Sequence, residues 1–291
     1  MIRITCSILC YNYGRYLGTA IESCLQQTPG AYEMDILVID DGSTDETPEV
    51  CARYASKIRV VRSANEGFGS TLTRAIALAT GDYVALLDAD DCFRPDKIVM
   101  LLPWLNTRPL YINHRAAWID ESGARIDQES HVCPTSGLCL RRDAALTLLP
   151  VDNELHFMPL DLPGKSVHLD QPLTYYRVHR SSMQRNSVPG AWQIRLAAVH
   201  RSFLRRIDCL QARPPFWLTS QQRLIELKAD AAVSAAFCEL EASLQLGDRS
   251  AAVMNVIRLG AMVVKHGRGG VLLLKMLLRT IFCIPVFRVK C

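Results

Sequence analysis

Several absences narrow the possibilities before any motif is read. The eleven cysteines include no Cys-x-x-Cys pair and are odd in number. Neither a zinc ribbon nor a disulfide framework is legible, so they are expected to be reduced thiols, mostly core filler. The formal net charge is only +4 over 291 residues, too mild to argue for a nucleic-acid partner. No uninterrupted stretch of about 20 uncharged apolar residues occurs, so no spanning helix is expected. The first residues, Met1-Ile2-Arg3-Ile4-Thr5, run straight into a strand pattern without a basic, apolar, cleavable leader. Reduced thiols and no leader together fit a cytoplasmic setting. What is present suits a globular enzyme. Hydrophobic residues at 49% fill a sizeable core, and 21% charged is ordinary, for one large domain or a domain with an appendage.

The most informative stretch is residues 81–91. An apolar run, 83–87, ends in Asp88, Ala89, Asp90 and Asp91. A run of this length bounded by Gly81-Asp82 reads as a buried parallel strand, and ligands bind beyond the carboxyl ends of such strands. Asp88 and Asp90 can face one small volume, where their repulsion calls for a proton, a base or a cation. Hard oxygen ligands suit Mg2+ or Mn2+, above all when a diphosphate completes the shell. Taken alone, Asp-x-Asp reads equally well as a solvated turn before a helix. Two further strands share the design. Residues 4–9 lead into Tyr11-Asn12-Tyr13-Gly14, and 35–39 into Asp40-Asp41-Gly42-Ser43-Thr44-Asp45.

Together with Asn65-x-Gly67, Arg74 and Pro172-Leu173-x-x-Tyr176-Arg177-x-His179, these segments resemble a family 2 glycosyltransferase over residues 2–185. The resemblance implies the GT-A fold, an α/β architecture whose Rossmann-like, mixed but mostly parallel sheet is flanked by helices. A C-terminal α-helical region follows. It implies a nucleotide-sugar site made by Tyr11, Asn12, Asp40, Asp41, Asn65, Gly67, Arg74, Asp88 and Ala89, with Asp40 on the base or ribose and Asp41 supporting the turn. Asp90, Asp88 and His179 would hold Mn2+ or Mg2+. Ser136, Gly137 and Arg177 would lie on the acceptor or diphosphate side. Counting back from Gln171-Pro172-Leu173 sets Asp152 on the family's helix-opening catalytic acid. The family often has two acids there, whereas this chain has Val151-Asp152, which makes Glu154 the second candidate base. Asp152 also reads as a plain helix cap, Arg74 as a surface ion pair and His114 as an exposed histidine. No Gln-x-x-Arg-Trp motif is present, which separates the chain from processive synthases.

The expected organisation is a catalytic domain at 1–188, with a loop at 180–188 over the site, and a helical region at 189–291. Helical spacing is expected at 71–79, 98–104, 192–207, 219–246 and 248–266. The apolar segment 271–287 is interrupted by Lys275, Arg279 and Pro285. It suits a helix docked on the protein or lying on an anionic inner leaflet, and the C-terminal helices also offer a surface for self-association. The expected activity is inverting transfer from a nucleotide-diphosphate sugar to a hydroxyl of a sugar, lipid-linked or protein acceptor, in polysaccharide or glycoconjugate synthesis. A sugar nucleotidyltransferase would want a glycine-rich basic loop where Tyr11-Asn12-Tyr13-Gly14-Arg15 stands. A non-catalytic scaffold with a degenerate site is the third reading.

Overall fold

A computed structural model of the chain describes residues 1–130, 135–179 and 190–266. Cys133, the 180–188 loop and the 271–291 segment lie outside the described residues. The chain divides into two compact units, Met1–Ser182 and Met183–Cys291.

The first unit runs β1 (Ile2–Cys10), α1 (Gly14–Leu25), β2 (Tyr32–Asp40), α2 (Thr47–Arg53), β3 (Arg59–Arg62), α3 (Phe68–Leu78) and β4 (Tyr83–Asp88). Then follow β5 (Cys92–Phe93), α4 (Lys97–Leu105), β6 (Tyr111–Ile119), β7 (Arg125–Ser130), β8 (Cys139–Arg141), α5 (Arg142–Leu146) and β9 (Ser166–Arg177). Among the described residues the strands form one sheet in the order β3-β2-β1-β4-β8-β6-β9-β5, with β7 paired to β6. β1 and β4 carry near-continuous apolar side chains because both faces are covered. From β3 to β4 the neighbours are parallel. At β4 the direction changes, since β8 pairs with it antiparallel. The core gathers Ile4, Ile8, Leu17, Ile21, Val38, Leu87, Ile98 and Leu101 between the sheet and helices α1 and α4.

Two strands differ from expectation. The apolar patterns at 110–112 and 116–119 read as two separate strands, yet they are joined through Asn113, His114 and Arg115 into the single strand β6. His114 is buried rather than exposed, and its Nδ1 lies 2.8 Å from the Arg115 carbonyl. Burial, with Lys97 nearby, pulls its pKa well below the ordinary histidine value. In β9 the sequence pattern reads only 167–169 as a strand, whereas residues 166–177 form one strand. Pro172 has no N–H to offer the ladder, and the register against β6 shifts beside it, between His114 and Ala116. The helix expected to open at Asp152 is a 3-10 helix, Glu154–Leu160, with Pro159 inside it. Its cap is Asn153, whose side chain accepts the Leu155 N–H at 3.0 Å.

In the second unit, α6 (Ala191–Ala212), α7 (Gln222–Gln245) and α8 (Arg249–His266) pack in series. Glu239 on α7 pairs with Arg201 on α6 and, at 3.1 Å, with Arg258 on α8. Gly247, at φ +74°, makes the turn between α7 and α8. No described helix is long and apolar enough to cross a membrane. The described cysteines are all free, and only Cys209 is exposed.

Candidate active site

Three parallel strands end at one rim, and their exit loops are tied together. Asn12, left-handed at φ +57°, donates its N–H to Ser43 Oγ at 2.9 Å. Its Oδ1 accepts the Thr44 N–H at 2.8 Å. Asparagine tolerates this conformation, and here it joins the β1 and β2 exits. Asp45 accepts the Gly14 N–H at 2.9 Å and the Thr47 N–H at 3.0 Å, so it serves the first turns of both α1 and α2. Tyr11 stands 46% exposed beside this joint.

The two acids after β2 divide their work differently from the expectation. Asp40, not Asp41, closes the turn, accepting the Ser43 N–H at 2.8 Å, with Arg62 3.3 Å from its other oxygen. Asp41 reaches the next loop, accepting the N–H groups of Glu66 at 3.0 Å and Gly67 at 2.8 Å. Arg74 donates to Ser63 Oγ at 2.7 Å, pairs with Glu66 and lies 3.8 Å from Asp41. It therefore braces the loop that carries Asn65 and Gly67. Gly42, at φ +78°, has room for no side chain, since a Cβ would lie 2.7 Å from the Asn65 backbone nitrogen.

The loop after β4 concentrates negative charge. Ser136 Oγ donates to Asp91 Oδ2 at 2.6 Å and accepts the Asp88 N–H at 2.9 Å. The Ser136 carbonyl accepts from the fully buried Lys97 at 2.9 Å and from the Thr174 hydroxyl at 2.9 Å. Asp90 Oδ2 lies 2.8 Å from His179 Nε2. The His179 ring is enclosed by Tyr13 and Tyr16, with centroids 5.5 Å and 5.1 Å away. Burial, then Asp91, Asp90 and Glu154, push the Asp88 carboxyl well above the ordinary range. Burial and Asp90 do the same to Asp91. Arg177 is committed within the fold: its N–H goes to Asp91 Oδ1 at 2.9 Å, Nε to the Asp90 carbonyl at 2.9 Å, and one terminal nitrogen to the carbonyls of Asp120 and Glu121. It holds the acid loop in shape instead of presenting a free cation to a diphosphate.

Among the described residues, no group of three or more His, Cys, Asp or Glu side chains is placed to hold a metal ion. The residues present nevertheless fit a divalent cation. Asp90 and His179 bring an oxygen and an imidazole together, Asp88 adds a second carboxylate, and the crowded charges favour a positive partner. Of the two candidate bases, Asp152 is exposed, with its backbone N–H 3.4 Å from His156 Nδ1. Glu154 is the acid whose field reaches Asp88, and burial raises its own pKa. Ser136 and Gly137 are buried under the acid loop, and Ala89 is fully buried within it. Sequence reasoning missed Tyr16, Lys97 and Trp118 around this rim, and it placed Tyr176 in a motif without giving it a role. Tyr176 carried a signal in its alternation with Thr174 along one strand face.

Residues 5–148 match the family Glycosyl transferase family 2. An uncharacterised glycosyltransferase of Nostoc sp. is 32% identical over 212 residues, covering 61% of this chain and 65% of that protein. The putative glycosyltransferase EpsH of Bacillus subtilis is 29% identical over 123 residues, 41% of this chain and 35% of that one. The chain thus spans between about a third and two thirds of the length of these relatives. Among solved structures, S. aureus TarS 1-349 in complex with UDP-GlcNAc superposes with a TM-score of 0.58 at 15% identity, over 92% of this chain and 93% of that one. The mannosyltransferase PcManGT of Pyrobaculum calidifontis, in complex with GDP-Man and Mn2+, gives 0.53 at 16% identity, over 96% and 86%. The likeness to solved structures speaks for the fold, the matched sequence segment for descent, and together they assign the chain to the family 2 glycosyltransferases with the GT-A fold.

Proposed function

We propose that the chain transfers a glycosyl group from a nucleoside-diphosphate sugar to an acceptor hydroxyl with inversion at the anomeric carbon. The observation that carries this reading is the acid loop after β4, where Asp88, Asp90 and Asp91 crowd at the strand end and Asp90 meets His179 at 2.8 Å. The complexes of related folds with UDP-GlcNAc and with GDP-Man and Mn2+ support a donor of this class. The exit loops of β1 and β2, with Tyr11, Asn12, Asp40 and Asp41, and the Asn65–Gly67 loop braced by Arg74 would receive the nucleoside. Asp90, Asp88 and His179 would hold Mn2+ or Mg2+, which supplies positive charge against the departing diphosphate.

Glu154 is the general base in this reading. It takes the proton of the acceptor hydroxyl as that oxygen bonds to the anomeric carbon. The bond from that carbon to the diphosphate breaks with its electron pair on the leaving group. Attack from the opposite side inverts the centre, as in the two-sided arrangement of inverting glycosidases. A half-buried carboxyl with a raised pKa suits a base better than the exposed Asp152 does.

The test is thermal unfolding with UDP- and GDP-sugars, with and without Mn2+. A donor at about 100 times its Kd adds about 2.7 kcal/mol, or about 5–10 °C for a unit of this size. The Asp90→Ala variant should lose the metal-dependent part. No shift with any nucleotide sugar, or an unchanged shift in that variant, would defeat the reading.

A further inference from the structure

Beyond the acid loop, on the far side of β4 from β1 and β2, two aromatic rings lie side by side. Trp118 on β6 and Tyr176 on β9 are register partners, so their side chains leave the same face of the sheet. Their ring centroids are 6.0 Å apart at an interplanar angle of 51°, and both residues are half-buried. The pairing of β6 with β7 slips between Ala117 and Ile119, which makes Trp118 the residue at an irregularity. Such irregularities re-aim side chains and recur beside active sites.

The pair is tied to the acid loop by short links. Thr174, two residues before Tyr176 and on its face, donates to the Ser136 carbonyl at 2.9 Å, and Ser136 Oγ holds Asp91. Arg177, next in the chain, gives its backbone N–H to Asp91 at 2.9 Å. Burial and then Asp91, Asp90 and Asp88 raise the Tyr176 pKa, so the phenol stays protonated and remains a donor. The buried indole N–H of Trp118 has no hydrogen-bond partner among the described residues, an unusual cost for a buried donor.

Two half-buried aromatic rings, an unmet N–H and a neutral phenol suit an uncharged, hydroxyl-rich ligand with apolar C–H faces. We propose that Trp118 and Tyr176 form the acceptor subsite and that the acceptor presents a neutral pyranose ring stacked on this pair. This deepens the transfer reading and rests on it. It narrows the acceptor to carbohydrate, free or as the sugar end of a larger molecule, and sets Trp118 and Tyr176 as residues that choose it.

The test uses the full chain saturated with Mn2+ and UDP or GDP, whichever raises its unfolding temperature, titrated with methyl pyranosides of glucose, galactose, mannose and N-acetylglucosamine. Tryptophan fluorescence and the unfolding temperature are the readouts. At least one glycoside at about 50 mM should shift both. Trp118→Ala should weaken that binding about tenfold or more. Tyr176→Phe, which keeps the ring and the packing, should weaken it by a smaller factor, and it keeps the test valid if the alanine variant does not fold. Nucleotide binding with no response to any pyranoside, or equal titrations in wild type and Trp118→Ala, would overturn the subsite and leave the transfer reading standing. Loss of nucleotide binding in Trp118→Ala with pyranoside binding intact would give the pair to the nucleobase and also overturn it. No response to either UDP or GDP with Mn2+ would count against the transfer reading itself.

Discussion

Glu154 and Asp152 are two residues apart, and replacing each separates chemistry from binding. Glu154→Gln is expected to lower transfer about 10²–10⁴-fold, the usual worth of a general base, while the nucleotide-linked thermal shift persists. Asp152→Asn should cost far less, and the opposite ranking of the two rates would return the base to Asp152. The pH dependence has a defined sign. Burial raises the Glu154 pKa, so the folded chain keeps that proton where the unfolded chain has lost it. Its contribution to stability is therefore full below the ordinary carboxylate pKa and is lost as pH rises through the raised folded value. Transfer should climb across that window, because the base works only when deprotonated. Urea unfolding without metal and kcat/KM, measured over the same pH range, check both directions. Ser136 offers a third prediction. Ser136→Ala removes the partner of Asp91 Oδ2 and of the Asp88 N–H together, a loss of about 1–3 kcal/mol for each buried group left unmet, to be read from urea unfolding. The three aspartates were legible because they follow an apolar run. The Ser136 bond to Asp91 was not, since it spans 45 residues and no local pattern announces it.

At the scale of elements, helix α3 sets the position of the candidate base segment. A Cβ on Gly69, in the first turn of α3, would lie 2.7 Å from the Asp152 Cα and 2.8 Å from the Val151 carbonyl. Gly69→Ala must push that backbone aside, two residues before Glu154. Overpacking of this kind costs about 1–3 kcal/mol. The activity of the folded fraction is expected to fall further than the lost stability accounts for, which rates normalised to folded protein would show. The legibility of the strands follows their burial. β1, β2 and β4 announce themselves as apolar runs bounded by turn residues. β6 and β9 read as fragments, because Asn113, His114 and Arg115 break one pattern and Pro172 the other. β5 and β8, of two and three residues, are too short for any periodicity to register. A buried histidine in mid-strand can be recognised only once its neighbours in space are known.

At the scale of the whole molecule, each of the two compact units has apolar packing of its own among the described residues. The sheet unit is built around Ile8, Leu17, Val38, Leu87 and Ile98, and the helical unit around Ala236, Leu240, Ala252 and Leu259. Chains with separate cores commonly depart from a single cooperative transition. Calorimetry of the full chain is expected to resolve two transitions, of which a nucleotide sugar with Mn2+ moves only the one belonging to the sheet unit. A single transition displaced as a whole would contradict this. The three described helices of the second unit were legible from their spacing, since long helices with apolar stripes repeat often enough to register.

The reversal of strand direction at β4 has a consequence for descent. The parallel strand β1 lies on one flank of β4 and the antiparallel β8 on the other, so on the proposed reading the cradle for the activated sugar and the platform for its recipient come from separate stretches of chain. If the proposed subsite holds, changes confined to β6 and β9 would alter the recipient while leaving untouched the strands that meet the nucleotide.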